Sequence, residues 1–124
     1  MKKVGWVRVF VSDMDRAVRF YADTLGIGVR NRSPEFPEFV ELATEGATLA
    51  LNSVGNERPD GNKLVGRFTG ITLTVPDIED AYRSLSAKGV RFSGAPTRQP
   101  WGGTMTSLLD PDGNEISLLE MPEG

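Results

Sequence analysis

VRVFVSDMDRA, residues 7–17, returns in altered spelling as ITLTVPDIEDA, residues 71–81, with a constant offset of 64. Val11 meets Val75, Asp13 meets Asp77 and Ala17 meets Ala81. Val7 and Ile71, Val9 and Leu73, Met14 and Ile78, Asp15 and Glu79 are like for like. Each copy changes period in the middle. Val7, Val9 and Val11 alternate with Trp6, Arg8 and Phe10, which makes a strand with two different faces. Met14, Ala17, Val18, Tyr21 and Leu25 then fall on one helical stripe, behind a cap at Ser12 or Asp13. Gly26 and Gly28 close that helix.

The second copy behaves in the same way. Ile71, Leu73 and Val75 form the apolar strand face. Pro76 and Asp77 start a helix striped by Ile78, Ala81, Tyr82 and Leu85, and Gly89 ends it. Short strands are expected at about 27–32, 38–44 and 47–53, then at about 90–93, 104–110 and 114–120. Glu45-Gly46 and Pro111-Asp112-Gly113-Asn114 are hairpin signals. The chain therefore reads as α+β, one domain over 1–124 made of two βαβββ modules. Module one covers about 4–53, a polar linker 54–66, and module two about 67–120. The linker is expected to be mobile, and a second loop, 93–103, carries Trp101 among Gly and Pro.

Composition narrows the function. With 124 residues, 39% hydrophobic and 25% charged, the chain can build one ordinary core. A net charge of −3 gives no basic face for nucleic acid. Gly5 and Arg8 interrupt the segment after Lys2-Lys3, so neither a signal peptide nor a membrane span is expected. The chain has no cysteine, which fits a cytoplasmic setting. It also has no histidine, which excludes a Ser-His-Asp triad and removes the commonest transition-metal ligand. Asp110-Pro111-Asp112-Gly113-Asn114-Glu115 is a turn and not a calcium loop, because glycine and glutamate fall at the wrong positions.

The repeat and its spelling resemble the vicinal oxygen chelate superfamily, the glyoxalase/bleomycin resistance/dioxygenase group. The residues that carry the resemblance are 7–29, 71–90 and 100–120, with Phe20-Tyr21…Leu25-Gly26 and Asp110–Asn114 the most characteristic. It implies two βαβββ modules whose mixed sheets curve into a half-barrel around a cleft, and a homodimer. It also implies four metal-ligand positions in metal-using members, which fall here on Trp6, Ala50, Gly70 and Ser117. None is a useful ligand, so the expectation is a member with no metal and no cofactor.

Strand parity then nominates a ligand surface: Trp6, Arg8, Phe10, Phe39, Glu41, Asn52, Thr72, Leu108 and Ser117, with Trp101 from the loop. Aromatic, small and hydroxyl residues with few charges suit a small, flat, largely apolar ligand. Trp6 is either a ligand floor or a plug for the vacated metal position. Arg8 and Glu41 either pair with each other or act, Arg8 on an anionic group and Glu41 as a base. As a base near neutral pH, Glu41 would need a pKa raised by burial. The acidic run Glu35, Glu38, Glu41 and Glu45 would also suit a cationic ligand. Three functions follow: a binder that sequesters a small molecule, resembling the bleomycin-resistance branch; a metal-free isomerase or cyclase using Glu41 and Arg8; and a metal-dependent lyase or dioxygenase using unforeseen carboxylates. A scaffold role is a fourth.

Overall fold

The computed structural model describes residues 1–54 and 61–123, in two compact units, 1–66 and 67–124. The first unit runs β1 (Trp6–Val11), α1 (Met14–Val18), β2 (Val29–Arg32), β3 (Phe39–Leu42) and β4 (Thr48–Ser53). The second runs β5 (Phe68–Thr74), α2 (Ile78–Ala87), β6 (Arg91–Phe92), β7 (Thr97–Arg98), β8 (Thr104–Leu109) and β9 (Glu115–Glu120). The class is α+β, with two mixed sheets and few helices.

In the first unit the strand order is β1-β4-β3-β2. β1 lies parallel to β4, with Arg8 beside Ala50 and Val9 beside Leu51. β3 lies antiparallel to β4, with Val40 beside Leu51. Val9, Val11, Val40, Leu42, Leu49 and Leu51 are therefore on one side and are buried, together with Ala17 and Tyr21 of the helical segment. In the second unit the order is β5-β9-β8-β6, with β7 on β8, and β5 is parallel to β9. Its core holds Ile78, Val90, Leu108, Ile116 and Leu118.

Both helices start where the sequence indicates. The Asp13 carboxylate accepts the Arg16 N–H at 3.1 Å, and the Asp77 carboxylate accepts the Asp80 N–H at 3.0 Å. The Glu120 side chain accepts the Ile78 N–H at 2.9 Å, which ties α2 to the last strand.

Several boundaries differ from expectation. The first helix ends at Val18 and continues as a π-helical stretch, Arg19–Thr24. There the Leu25 N–H reaches the Phe20 carbonyl at 2.9 Å, and of the stripe Ala17 and Tyr21 are buried while Met14, Val18 and Leu25 are half-buried. β2 begins at Val29, since Gly26 and Gly28 stand at φ 75° and 82°. β5 begins at Phe68, and the loop 93–103 contains the short strand β7. Residues 61–64 of the linker form a 3₁₀ turn, and 55–60 lie outside the described residues.

The turn at 110–114 is a closed polar knot. The buried Asp110 carboxylate accepts the N–H groups of Asp112 and Asn114 and the Asn114 amide, each at 2.9 Å. The Asn114 side-chain oxygen accepts the Arg67 N–H at 3.1 Å, which pins the start of β5 to the β8–β9 turn. Asn114→Ala leaves part of the Asp110 carboxylate and the Arg67 N–H without these partners. It should cost about 1–3 kcal/mol, read as a lower urea midpoint at unchanged slope. A loss under about 0.5 kcal/mol, the range of neutral surface changes, would show that the knot is not structural.

Candidate functional site

The face of the first sheet opposite its core carries Trp6, Arg8 and Phe10 from β1, Ala50 and Asn52 from β4, and Phe39 and Glu41 from β3. β2 adds Asn31, the register partner of Glu41. The Trp6 indole N–H donates to Glu41 Oε2 at 2.9 Å, and the Asn31 amide donates to Glu41 Oε1 at 3.2 Å. The Trp6 and Phe39 rings meet edge to face, with centroids 5.3 Å apart. Ala50, fully buried, is the β4 residue beside Glu41 and leaves room for the Trp6–Glu41 bond to cross the strand.

These groups border an open groove of about 420 Å³, lined by Trp6, Asn31, Ser33, Phe36, Glu38, Phe39 and Glu41. Trp6 is 58% exposed and Phe36 60%. Trp6 is thus not a buried plug. Asn31, Ser33, Phe36 and Glu38 were not singled out as ligand residues by strand parity. They lie on the edge strand β2 and on the connection to β3, where no alternation marks a face.

Arg8 and Glu41 do not pair. Arg8 donates to the Asn52 side chain at 3.3 Å and lies over the Phe10 ring, 5.3 Å from its centroid. The requirement for a raised Glu41 pKa is not met either. The Trp6 hydrogen bond first and the Asn31 bond second hold the Glu41 carboxyl below the usual carboxylate range. Desolvation opposes them and is outweighed, while the Arg30 charge adds a further downward pull. Arg30 is held by Thr48 Oγ1 at 2.9 Å and the Thr44 carbonyl at 2.6 Å.

In the second unit Thr72, Ser107 and Ser117 share one row of the sheet, and the Ser107 and Ser117 hydroxyls lie 3.4 Å apart. Leu108 is on the other side. It is fully buried opposite Ile116, so it belongs to the core and not to a ligand surface. Its strand, TMTSLL, has no clean alternation, and the register set by the 110–114 knot decides which face it shows. Trp101 is 55% exposed on a turn closed by the Gln99 and Gly102 N–H groups, and its ring packs over Gly103. Gly70 stands at φ 74°, inside a register shift of β5 against β9. A side chain there would be strained, which is a backbone reason for glycine at this position.

A family model for the Glyoxalase/Bleomycin resistance protein/Dioxygenase superfamily matches residues 3–118. The chain belongs to this superfamily. A solved member from Sphaerobacter thermophilus DSM 20745 is 34% identical, with TM-score 0.84 over 98% of both chains. TnmS3, an antibiotic binding protein from Streptomyces sp. CB03234, is 30% identical, with TM-score 0.77 over 99% of this chain and 98% of that one. A bleomycin resistance protein of Klebsiella pneumoniae is 34% identical over 115 residues, 87% of this chain and 84% of its own.

The residues at the four metal-ligand positions of the superfamily do not fit a metal. Trp6 offers an N–H donor already given to Glu41, Ala50 is apolar and buried, Gly70 has no side chain, and Ser117 offers one weak hydroxyl. Among the described residues no three His, Cys, Asp or Glu stand together as a ligand set.

Because the Glu41 pKa is lowered on folding, the unfolded chain binds its proton more readily. The stability it contributes is present above the ordinary glutamate pKa and is lost as pH falls through the folded value. In Trp101→Phe protein, where Trp6 is the remaining tryptophan, acid titration of the indole fluorescence should show a midpoint below about 4.3, absent in Glu41→Gln. A midpoint at or above that value would mean that the indole does not hold the carboxylate.

Proposed function

We propose that the chain is a binding protein of the sequestering, resistance type, which holds a small, flat, largely apolar molecule against the outer sheet face of its first module without transforming it. One observation carries this reading: an open groove of about 420 Å³ in which two large aromatic side chains, Trp6 and Phe36, are more exposed than covered. That volume lies within the range of small-molecule sites, about 300–1,000 Å³. Exposed aromatics that border a concavity are surfaces waiting for a partner. The similarity to proteins named for antibiotic binding and bleomycin resistance supports the same reading.

The chemistry of the groove favours binding over catalysis. A carboxylate with a lowered pKa is a weak proton acceptor near neutral pH, so Glu41 suits a fixed negative charge better than a general base. Arg8 is engaged with Asn52 and Phe10 and does not line the groove. In the same reading the protein works as a cytoplasmic homodimer, in keeping with the superfamily resemblance, and light scattering at micromolar concentration should give twice the 13.5 kDa chain mass. The mass of a single chain would remove the dimer.

The binding test uses three tricyclic probes of similar shape, cationic proflavine, neutral acridone and anionic acridine-9-carboxylate, with and without EDTA. At least one should quench Trp6 and raise the melting temperature regardless of chelator, the folded state being stabilised by about 2.7 kcal/mol at a hundredfold excess over Kd. Trp6→Ala should cost about 2 kcal/mol of that binding while the melting point of the free protein moves little. Silence of all three probes up to millimolar concentration would refute the binder, as would affinity that Trp6→Ala leaves intact.

A further inference from the structure

We infer that the occupant of this groove is an aromatic cation. The inference rests on the binder reading above and adds the charge of the ligand. Two carboxylates, Glu38 and Glu41, line the groove beside the aromatic rings of Trp6, Phe36 and Phe39, and among the described residues no lysine or arginine lines it. The two carboxylates differ in a way that matters for recognition. Glu41 is held in place by Trp6 and Asn31, one donor on each oxygen. A carboxylate accepts about four hydrogen bonds, so both oxygens keep capacity facing the groove. Glu38 is fixed through its backbone, whose carbonyl accepts the Ser53 N–H at 2.9 Å. Its carboxylate takes no hydrogen bond among the described residues.

Among the described residues, the two arginines of β2 are directed elsewhere. Arg30 reaches Glu41 only through its field, because its guanidinium donates to Thr48 and to the Thr44 carbonyl. Arg32 is paired with Asp15 of α1 at 2.5 Å. What remains for a ligand is a negative edge beside apolar ring faces. Ring faces carry negative potential and attract cations. A flat molecule with a delocalised positive charge satisfies both features at once: it stacks on the rings and brings N–H donors to the carboxylates. An anionic ligand would meet two like charges, Glu38 and Glu41.

Each contribution is modest. A cation over an exposed ring and a screened charge pair together give about tenfold in affinity. The same three probes separate the possibilities. Proflavine should bind about tenfold tighter than acridone at low salt, acridine-9-carboxylate weakest, and the proflavine advantage should shrink as salt rises. Glu38→Gln with Glu41→Gln should collapse the preference for proflavine over acridone to less than threefold. Glu38→Gln alone, which leaves the Trp6–Glu41 bond in place, should lower it by about half on a logarithmic scale. Acridone binding as tightly as proflavine would overturn the inference and leave the binder reading standing. A preference that survives both substitutions would overturn it too. Silence of all three probes would overturn both.

Discussion

The constraint on which everything else in each module depends is the parallel pairing of its first strand with its last. Parallel neighbours cannot be joined by a tight turn. The chain must leave β1, cross over through a helix and two further strands, and return as β4 beside its starting point. That crossing lays α1 against one side of the sheet, and Ala17 and Tyr21 are buried in the core with Val9, Val11, Leu49 and Leu51. Among the described residues, α1 therefore leaves the other side of the same strands uncovered. Trp6, Arg8 and Glu41 are on that side because they alternate with the core residues.

The second module obeys the same constraint and spends its outer face differently. Arg8 beside Ala50 in module one corresponds to Thr72 beside Ser117 in module two, so the repeat in sequence is also a repeat in register. It breaks at one place. Where module one has Trp6, module two has Gly70, at positive φ in a bulge that shifts β5 against β9. Two of the four positions where the resemblance places metal ligands thus hold opposite extremes, one the largest side chain and one none.

How much of this was legible beforehand follows from how each segment is constrained. β1 is legible in the sequence because Val7, Val9 and Val11 alternate without exception against Trp6, Arg8 and Phe10. The helix caps were legible because Asp13 and Asp77 act locally, within three residues. β8 was not, since Thr, Met, Ser and Leu are tolerated on either face, and its register comes from a knot that reaches back to Arg67. The groove was half legible. Trp6, Phe39 and Glu41 lie on alternating strands, but Asn31, Ser33, Phe36 and Glu38 owe their place to an edge strand and an irregular connection. The lowered pKa of Glu41 could not be anticipated, because it depends on two hydrogen bonds spanning 35 and 10 residues of sequence.

An exposed indole is ordinarily a poor stacking platform, because free rotation about its side-chain torsions must be given up when a ligand arrives. Here that freedom is already restricted. The N–H is bonded to an ionised carboxylate, a charge-assisted bond stronger than a neutral one, and the ring edge rests against Phe39. Both restraints need the strand between them to be low. Ala50 meets that need, being the small, fully buried residue in the row of Arg8 and Glu41. A longer side chain at position 50 would stand between donor and acceptor and part the indole from the carboxylate. Alanine in place of a ligand residue therefore does more than remove a metal donor: it allows tryptophan and glutamate, two strands apart, to fix one another in position.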